Sequence, residues 1–159
     1  MMPALAPLPG AVIAHGTAPL SALADWQPQP DRPLRVLMPG HLRDGKGEAL
    51  LRPLLPLLDD GIELIALGCG HAAAARLAGQ ARVTVHPVYV HAELPAWIAR
   101  LQPDIAMLPS TIPETWSYAY LEMCALGIPT LCPAIGALRD RVSSTGSGRL
   151  EAPEASAFA

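Results

Sequence analysis

The pattern of apolar and polar positions between residues 34 and 150 predicts alternating strands and helices. Short apolar runs that end at Gly, Pro or a polar cluster predict buried strands, and longer stretches with leucine or alanine at helical spacing predict helices. The predicted strands cover residues 34–40, 62–68, 82–90, 104–110 and 129–133. The predicted helices cover residues 48–61, 71–79, 92–102 and 117–127, with a short helix around 137–142 before a glycine-rich turn at 143–148. Pro53 and Pro56 should kink or shorten the first helix.

This alternation predicts the fold class. The strands are apolar on both faces, which is typical of a parallel sheet covered by helices on both sides. We therefore expect an α/β fold with a Rossmann-like parallel sheet. Because such sheets bind ligands beyond the carboxyl ends of their strands, a site is expected in the turns from strand to helix. These turns lie at residues 40–47, 68–71, 86–91 and 109–117.

The composition fits one globular domain and excludes several other classes. Of the 159 residues, 51% are hydrophobic and 16% are charged, which suits a packed core. Prolines crowd residues 1–33, so we expect a lead-in or interdomain linker there, a domain at 34–150 and a flexible tail at 151–159. The net charge of −3 lacks the basic character that nucleic-acid binding requires. No apolar run is long enough to predict a transmembrane segment.

The cysteines and histidines form no recognisable chemical motif. The cysteines are odd in number and unpatterned in spacing, which predicts free thiols in the core: Cys69, Cys124 and Cys132. The histidines of the predicted turns match no zinc-binding spacing and are interpreted as isolated residues: His71, His86 and His91. We therefore expect no bound metal ion.

Two glycine-rich turns offer weaker signals. The first, "PGHLRDGKG" at residues 39–47, places Lys46 just before a helix, where its ammonium and backbone N–H groups could meet a phosphate. A tight turn with a solvated lysine explains it as well. The second, "GCGHAA" at residues 68–73, matches the dinucleotide pattern G-x-G-x-x-A. That pattern needs an acidic residue at the end of the next strand, and none occurs before Glu93, which disfavours binding of NAD.

The turn before the fourth predicted helix contains the most informative residues. The stretch "PSTIPET" brings Glu114 to the start of a helix whose first N–H groups and dipole favour an anion by about 0.3–2 kcal/mol. Glu122 lies too deep in that helix to cap it, so its carboxylate needs protein donors or ligand hydroxyls. A sugar–diphosphate–ribose ligand would require a carboxylate on each side of a diphosphate. A buried structural Glu122 fits the residues equally well.

With these residues the sequence resembles the donor-binding, C-terminal domain of GT-B glycosyltransferases, in the retaining group with the E-x7-E motif. Glu114 and Glu122 have this spacing within "ETWSYAYLEMCALGIPTL". "GHLRDGKG" is similar to the turn after the first strand of that domain, and "DIAMLPS" and "GALRDRV" occur in the expected order. The resemblance covers about residues 11–150. It implies a nucleotide-sugar-binding domain that acts in bacterial polysaccharide or glycoconjugate assembly.

The resemblance also implies roles for individual residues. Glu122 would bind the ribose hydroxyls of the donor, and Glu114 the transferred sugar. Lys46 would neutralise the diphosphate as it leaves, so Glu114 and Lys46 would be the catalytic residues. Further donor-binding residues would be His41 and Arg43 in the first turn, and Thr115, Trp116 and Ser117 through backbone N–H groups.

The sequence departs from this family in two respects. His41 stands where the family usually has an arginine, and the acceptor-binding domain and the last helices are absent. The resemblance therefore implies an acceptor domain supplied in cis or in trans, and no sugar transfer by this chain alone. The donor would be a UDP- or GDP-sugar, bound without a cofactor or metal in the cytoplasm, with peripheral contact to the inner membrane through the absent domain. The alternative is a catalytically silent nucleotide-binding or scaffold module that kept the fold.

Overall fold

The computed structural model describes residue 29 and residues 31–159, and this part of the chain contains six strands and five α-helices. The strands are β1 (Leu34–Pro39), β2 (Ile62–Leu67), β3 (Val83–His86), β4 (Ile105–Met107), β5 (Thr130–Pro133) and β6 (Gly148–Glu151). The α-helices are α1 (Glu48–Leu54), α2 (His71–Leu77), α3 (Leu94–Leu101), α4 (Tyr118–Ala125) and α5 (Gly136–Thr145). Short 3-10 helices lie at Leu55–Leu57, His91–Glu93 and Ala155–Ala157.

The order of the strands places a crevice beside β1. The sheet runs β3-β2-β1-β4-β5-β6, and every neighbouring pair is parallel. β2 and β3 are added in turn on one side of β1, and the chain then crosses over to place β4 on the other side of β1. In such sheets a crevice opens at the carboxyl ends of the strands where the direction of building reverses. This topology is α/β and Rossmann-like, which confirms the predicted fold class.

The core consists of layers on the two faces of the sheet. Along β1, Val36 and Met38 pack toward α1 and α2, whereas Leu37 packs toward α3 and α4. This alternation follows from the pleat of a strand, whose successive side chains point to opposite faces. A third cluster packs α4 and α5 around the buried Tyr120 and Cys132. Because both faces are covered, the buried parts of β1, β2 and β4 are apolar, as the sequence indicates.

The five predicted strands and the predicted helices are present, but their lengths differ. The prolines shorten the first helix as predicted: α1 ends at Leu54 and continues as a single 3-10 turn. β3 ends at His86 instead of residue 90, because Pro87 cannot donate to a ladder. None of the helices in residues 31–159 combines the length and apolar character that crossing a bilayer requires.

The glycine-rich turn is shorter than the predicted range of residues 143–148, because only residues 146 and 147 separate the last helix from a further strand. The last helix continues to Thr145, and β6 begins at Gly148 and pairs with β5 along its whole length. The residues Gly148–Glu151 have no apolar run, so the sequence pattern gives no signal for a strand. β6 forms because an edge strand needs only one neighbour, and its backbone groups bond to β5 whatever its side chains are.

Both ends of the described chain are attached to the domain. Arg32 donates to both carboxylate oxygens of the buried Asp104, at 2.7 and 3.1 Å. Asp104 also accepts from the backbone N–H of Arg35 at 2.8 Å. At the other end, Phe158 is buried in the core cluster of α1 and α2, so the segment predicted as a flexible tail packs on that core. Most of the predicted lead-in at residues 1–33 lies outside the described residues, and the proposed boundaries stay a prediction.

Replacing Asp104 with alanine should destabilise the domain, because Arg32 would lose its carboxylate partner in a partly buried position. We expect Asp104→Ala to lower the free energy of unfolding by about 3 kcal/mol. Chemical denaturation of both proteins measures this difference. Asp140→Ala is the control, since Asp140 is an exposed carboxylate beside Arg139 and should change stability by less than about 0.5 kcal/mol. Equal effects of the two substitutions would contradict a stabilising role for Asp104.

Candidate functional site

A pocket of about 460 Å³ opens at the carboxyl ends of β1 and β4, where the sheet reverses its direction of building. Two segments supply its walls: residues 38–46, from the end of β1 into the turn after it, and residues 108–119, which lead into α4 and include its first residues. Six of the predicted site residues line it: His41, Arg43, Lys46, Glu114, Trp116 and Ser117. Thr115 and Glu122 are not among its lining residues. The topology thus brings together most of the predicted site.

The two walls of the pocket are joined by backbone contacts. The carbonyl of Gly45 accepts from the backbone N–H of Thr111 at 3.0 Å and lies 3.1 Å from the hydroxyl of the buried Ser110. Gly47 has a φ of +100°, and a Cβ there would approach Pro109 to 2.5 Å. Glycine is therefore required at this position both for its backbone conformation and for the close packing of the walls. These contacts fix Lys46, between the two glycines, against the other wall.

Lys46 and Glu114 form an ion pair across the pocket. The ammonium nitrogen Nζ of Lys46 lies 2.5 Å from Oε1 of Glu114. The Glu114 side chain is 14% exposed and that of Lys46 is 34% exposed, so the pair is only partly shielded from solvent. In this structure each charge compensates the other, and the ammonium is accessible to a ligand in the pocket.

Helix α5 supports Glu114 from behind. The backbone carbonyl of Glu114 accepts from the N–H of Ala137 at 2.9 Å. Gly136 has a φ of +51°, and a Cβ there would lie 2.8 Å from the Glu114 nitrogen and 2.9 Å from its carbonyl oxygen. The backbone of Glu114 can reach this position only because residue 136 has no side chain. Gly136 is a positioning residue that the sequence pattern alone does not reveal.

The same helix also contacts Trp116. The guanidinium of Arg141 lies 3.3 Å from the centroid of the Trp116 ring, which is cation–π geometry. Trp116 lines the pocket between Glu114 and the start of α4. Helix α5 therefore fixes the segment 114–116 at two points, its backbone at Glu114 and its side chain at Trp116.

Glu122 faces a different part of the sheet edge. It is the fifth residue of α4, and its Oε1 lies 2.8 Å from Nε2 of His91, in the segment after β3. The Glu122 side chain is 16% exposed and that of His91 is 56% exposed. The interpretation of His91 as an isolated turn residue is therefore wrong. Parallel strands end at one edge of the sheet, and this rule could have suggested a contact between the segment after β3 and α4.

Tyr89 lies near the same carboxylate. Its pKa is raised, first by burial and second by the negative charge of Glu122. Both effects disfavour the phenolate. Tyr89, His91 and Glu122 thus define a second group at the carboxyl edge, which we call the Glu122 cluster. It contains one carboxylate, an imidazole and a neutral phenol.

The remaining predicted residues lie in exposed positions or outside the site. His41 and Arg43 are exposed at the mouth of the pocket, and Thr115 is exposed on the segment before α4. The three cysteines are free, and burial raises the pKa of Cys132 to about 12, which disfavours its thiolate. Within residues 31–159, no three His, Cys, Asp or Glu side chains cluster as metal ligands.

Comparisons with known proteins identify similar folds. No family model matches the chain, and no curated protein sequence matches it. HepE of Anabaena, solved in complex with UDP and glucose, is 20% identical with a TM-score of 0.64 over 80% of this chain and 37% of that chain. Sucrose-phosphate synthase of Thermosynechococcus elongatus is 22% identical with a TM-score of 0.67 over 87% of this chain and 38% of that chain. The lipopolysaccharide outer core galactosyltransferase WaaB is 21% identical with a TM-score of 0.63 over 85% of this chain and 41% of that chain.

These similarities establish the fold. The chain has the α/β, Rossmann-like fold that occurs in glycosyltransferase structures, as the sequence predicts. It spans less than half the length of each of these solved chains. At such low identity the roles of single residues do not follow from the comparison, so they have to be argued from the site.

A side chain at residue 136 should displace Glu114. We expect Gly136→Ala to lower the free energy of unfolding by about 2–3 kcal/mol, because it adds a clash with the Glu114 backbone to the strain of a positive φ. Gly146→Ala is the matched control: its φ is +67°, but a Cβ there has no neighbour within 4 Å among the described residues. The control should lose only about 1 kcal/mol. Thermal or chemical unfolding measures both, and equal losses would show that the Glu114 backbone tolerates a side chain there.

Proposed function

We propose that this chain is the nucleotide-sugar-binding domain of a retaining GT-B glycosyltransferase with the E-x7-E motif. The observation that supports this most is the Lys46–Glu114 ion pair in a pocket at the switch point of a Rossmann-like sheet. Sheets with this strand order bind nucleotides in that crevice. HepE, which has this fold, was solved with UDP and glucose, and that complex supports the same class of ligand here.

The diphosphate of the donor would lie between Lys46 and the start of α4. Within the described chain no side chain caps α4 at Ser117, and the first N–H groups of a helix have no partner inside it. These donors, with the positive end of the helix dipole, favour an anion. Backbone N–H groups of Thr115, Trp116 and Ser117 would add further donors. A diphosphate carries more negative charge than Glu114, so it would compete with Glu114 for the Lys46 ammonium.

Lys46 and Glu114 would then act on the reacting end of the donor. Glu114 would accept hydrogen bonds from hydroxyls of the transferred sugar, since a carboxylate only accepts. As the bond between sugar and diphosphate breaks, negative charge grows on the departing phosphate. The Lys46 ammonium would stabilise that charge, which lowers the barrier because the interaction is stronger in the transition state. Arg43 would add positive charge at the mouth of the pocket, and His41 would add a polar imidazole there.

The proposal extends to the whole enzyme. The donor would be a UDP- or GDP-sugar, bound without a metal ion, and Glu122 would accept hydrogen bonds from its ribose hydroxyls. The similarity to WaaB, a lipopolysaccharide outer core galactosyltransferase, supports a role in bacterial polysaccharide or glycoconjugate assembly. An acceptor-binding domain would complete the active site in cis or in trans. The chain's coverage of 37–41% of the solved structures supports this division.

A ligand panel with a Lys46 variant tests the proposed function. UDP, GDP, ADP, UDP-glucose, GDP-mannose and NAD are compared by thermal unfolding, and only the nucleoside diphosphates or nucleotide sugars should raise Tm. Lys46→Met removes the ammonium and keeps the length of the side chain. We expect it to weaken binding of the best ligand about tenfold or more in calorimetry, which corresponds to about 1.4 kcal/mol.

The control for this experiment is Arg149→Met on the edge strand β6. It removes the same charge from a side chain that is 80% exposed and far from the pocket, so affinity should not change. A panel in which no nucleotide raises Tm, or in which only NAD does, would contradict the proposed function. Equal affinities of wild type and Lys46→Met would place the diphosphate elsewhere.

Sugar transfer should be absent from the isolated chain even if it binds the donor. The pocket offers groups for the diphosphate and the sugar, and the proposal assigns acceptor binding to another domain. A product assay with UDP-glucose and acceptor sugars, run at a protein concentration that saturates donor binding, should give no transfer above the uncatalysed rate. Steady product formation would show that the acceptor site lies within this chain.

A further inference from the structure

The hydrogen bond between His91 and Glu122 has a defined direction. A carboxylate only accepts, so Nε2 of His91 has to carry the proton that lies between them. The neutral Nε2–H tautomer and the imidazolium both satisfy this requirement. The bond occupies Oε1 of Glu122, and no hydrogen bond from residues 31–159 reaches Oε2. Among the described residues, one oxygen is therefore held by a hydrogen bond and the other is not.

The two partners differ in their freedom to move. Glu122 is 16% exposed and lies on a helix whose opposite side packs in the core, whereas His91 is 56% exposed on a 3-10 turn. A glutamate side chain has three rotatable bonds, and fixing them before a ligand arrives removes an entropic cost from binding. Tyr89 completes the Glu122 cluster on the same side as His91. Its raised pKa keeps it a neutral phenol, so it does not supply a second charge.

We propose that His91 is a positioning residue for recognition of the donor ribose, and that it acts by holding the Glu122 carboxylate in the orientation that accepts the ribose hydroxyls. This inference rests on the proposed function, because it takes the ligand to be a nucleotide. The inference goes beyond the proposed function by assigning a role to the segment after β3. In this proposal His91 does not contact the ligand itself, so its effect depends on Glu122 and on the ribose hydroxyls.

Nucleotides with and without ribose hydroxyls separate this role from a structural one. The probes are UDP and GDP with their 2′,3′-dideoxy counterparts, and calorimetry measures the affinity of each. His91→Ala should weaken binding of the better ribonucleotide about fivefold and leave the affinity for its dideoxy counterpart unchanged. His91→Gln should restore most of the loss, because its amide can also donate to Oε1 of Glu122. His71→Ala is the control, since it removes an exposed imidazole from the start of α2 at the same edge.

A double-mutant cycle then tests whether His91 acts through Glu122. In a Glu122→Gln background, removal of the imidazole should change ribonucleotide affinity by less than twofold, which is the signature of coupled residues. Equal losses for ribo- and dideoxynucleotides, additive effects in the cycle, or no rescue by His91→Gln would each overturn the inference. If wild type binds none of the four probes, the inference fails, and the proposed function fails with it when the nucleotide sugars of the ligand panel do not bind either. That outcome is recognised because it appears before any variant is measured.

Discussion

The site depends on the contacts between the segment after β1 and the segment after β4. Gly45 bonds to Thr111 and Ser110, and Gly47 lets Pro109 pack directly against the first segment. β1 and β4 are neighbours in the sheet, but the segments that follow them lie far apart in the sequence. Without these contacts neither segment would hold the other in position. These contacts join uncharged groups, so they do not depend on the salt concentration of the solvent. They give the pocket a rigid base, on which the ion pair of Lys46 and Glu114 then forms.

At the carboxyl edge of the sheet, Glu114 and Glu122 have different partners. Glu114 lies in the pocket beside Lys46, while Glu122, one helix turn beyond the start of α4, faces His91 after β3. With a separate partner for each, the two carboxylates do not compete for one donor, and each can accept hydrogen bonds. A ligand that spans from the pocket to the Glu122 cluster would meet a hydroxyl acceptor at each end.

The sequence predicts those features that arise from short-range patterns. Alternating apolar runs predict the parallel sheet, the prolines predict the short α1, and the rule about carboxyl ends predicts where a pocket opens. Strand β6 could not be found, because Gly148–Glu151 forms a strand only through pairing with β5. The partners of Glu114 and Glu122 lie 68 and 31 residues away. The rule about carboxyl ends indicates that these segments share one edge of the sheet, but it does not indicate which side chains pair. Such contacts depend on how loops pack in three dimensions, and no local propensity encodes them.

The charge balance of the pocket determines how it can accept an anion. Lys46 is already paired with Glu114, so a diphosphate in the pocket would not meet Lys46 as a free cation. It has to attract the ammonium away from a carboxylate that is 14% exposed and that needs a new partner once the lysine turns. A sugar attached to the diphosphate provides hydroxyl donors for that carboxylate, whereas a nucleoside diphosphate alone does not. Under the proposed function, the ion pair would favour an intact nucleotide sugar over a nucleoside diphosphate, and this preference would come from the pairing of Lys46 with Glu114.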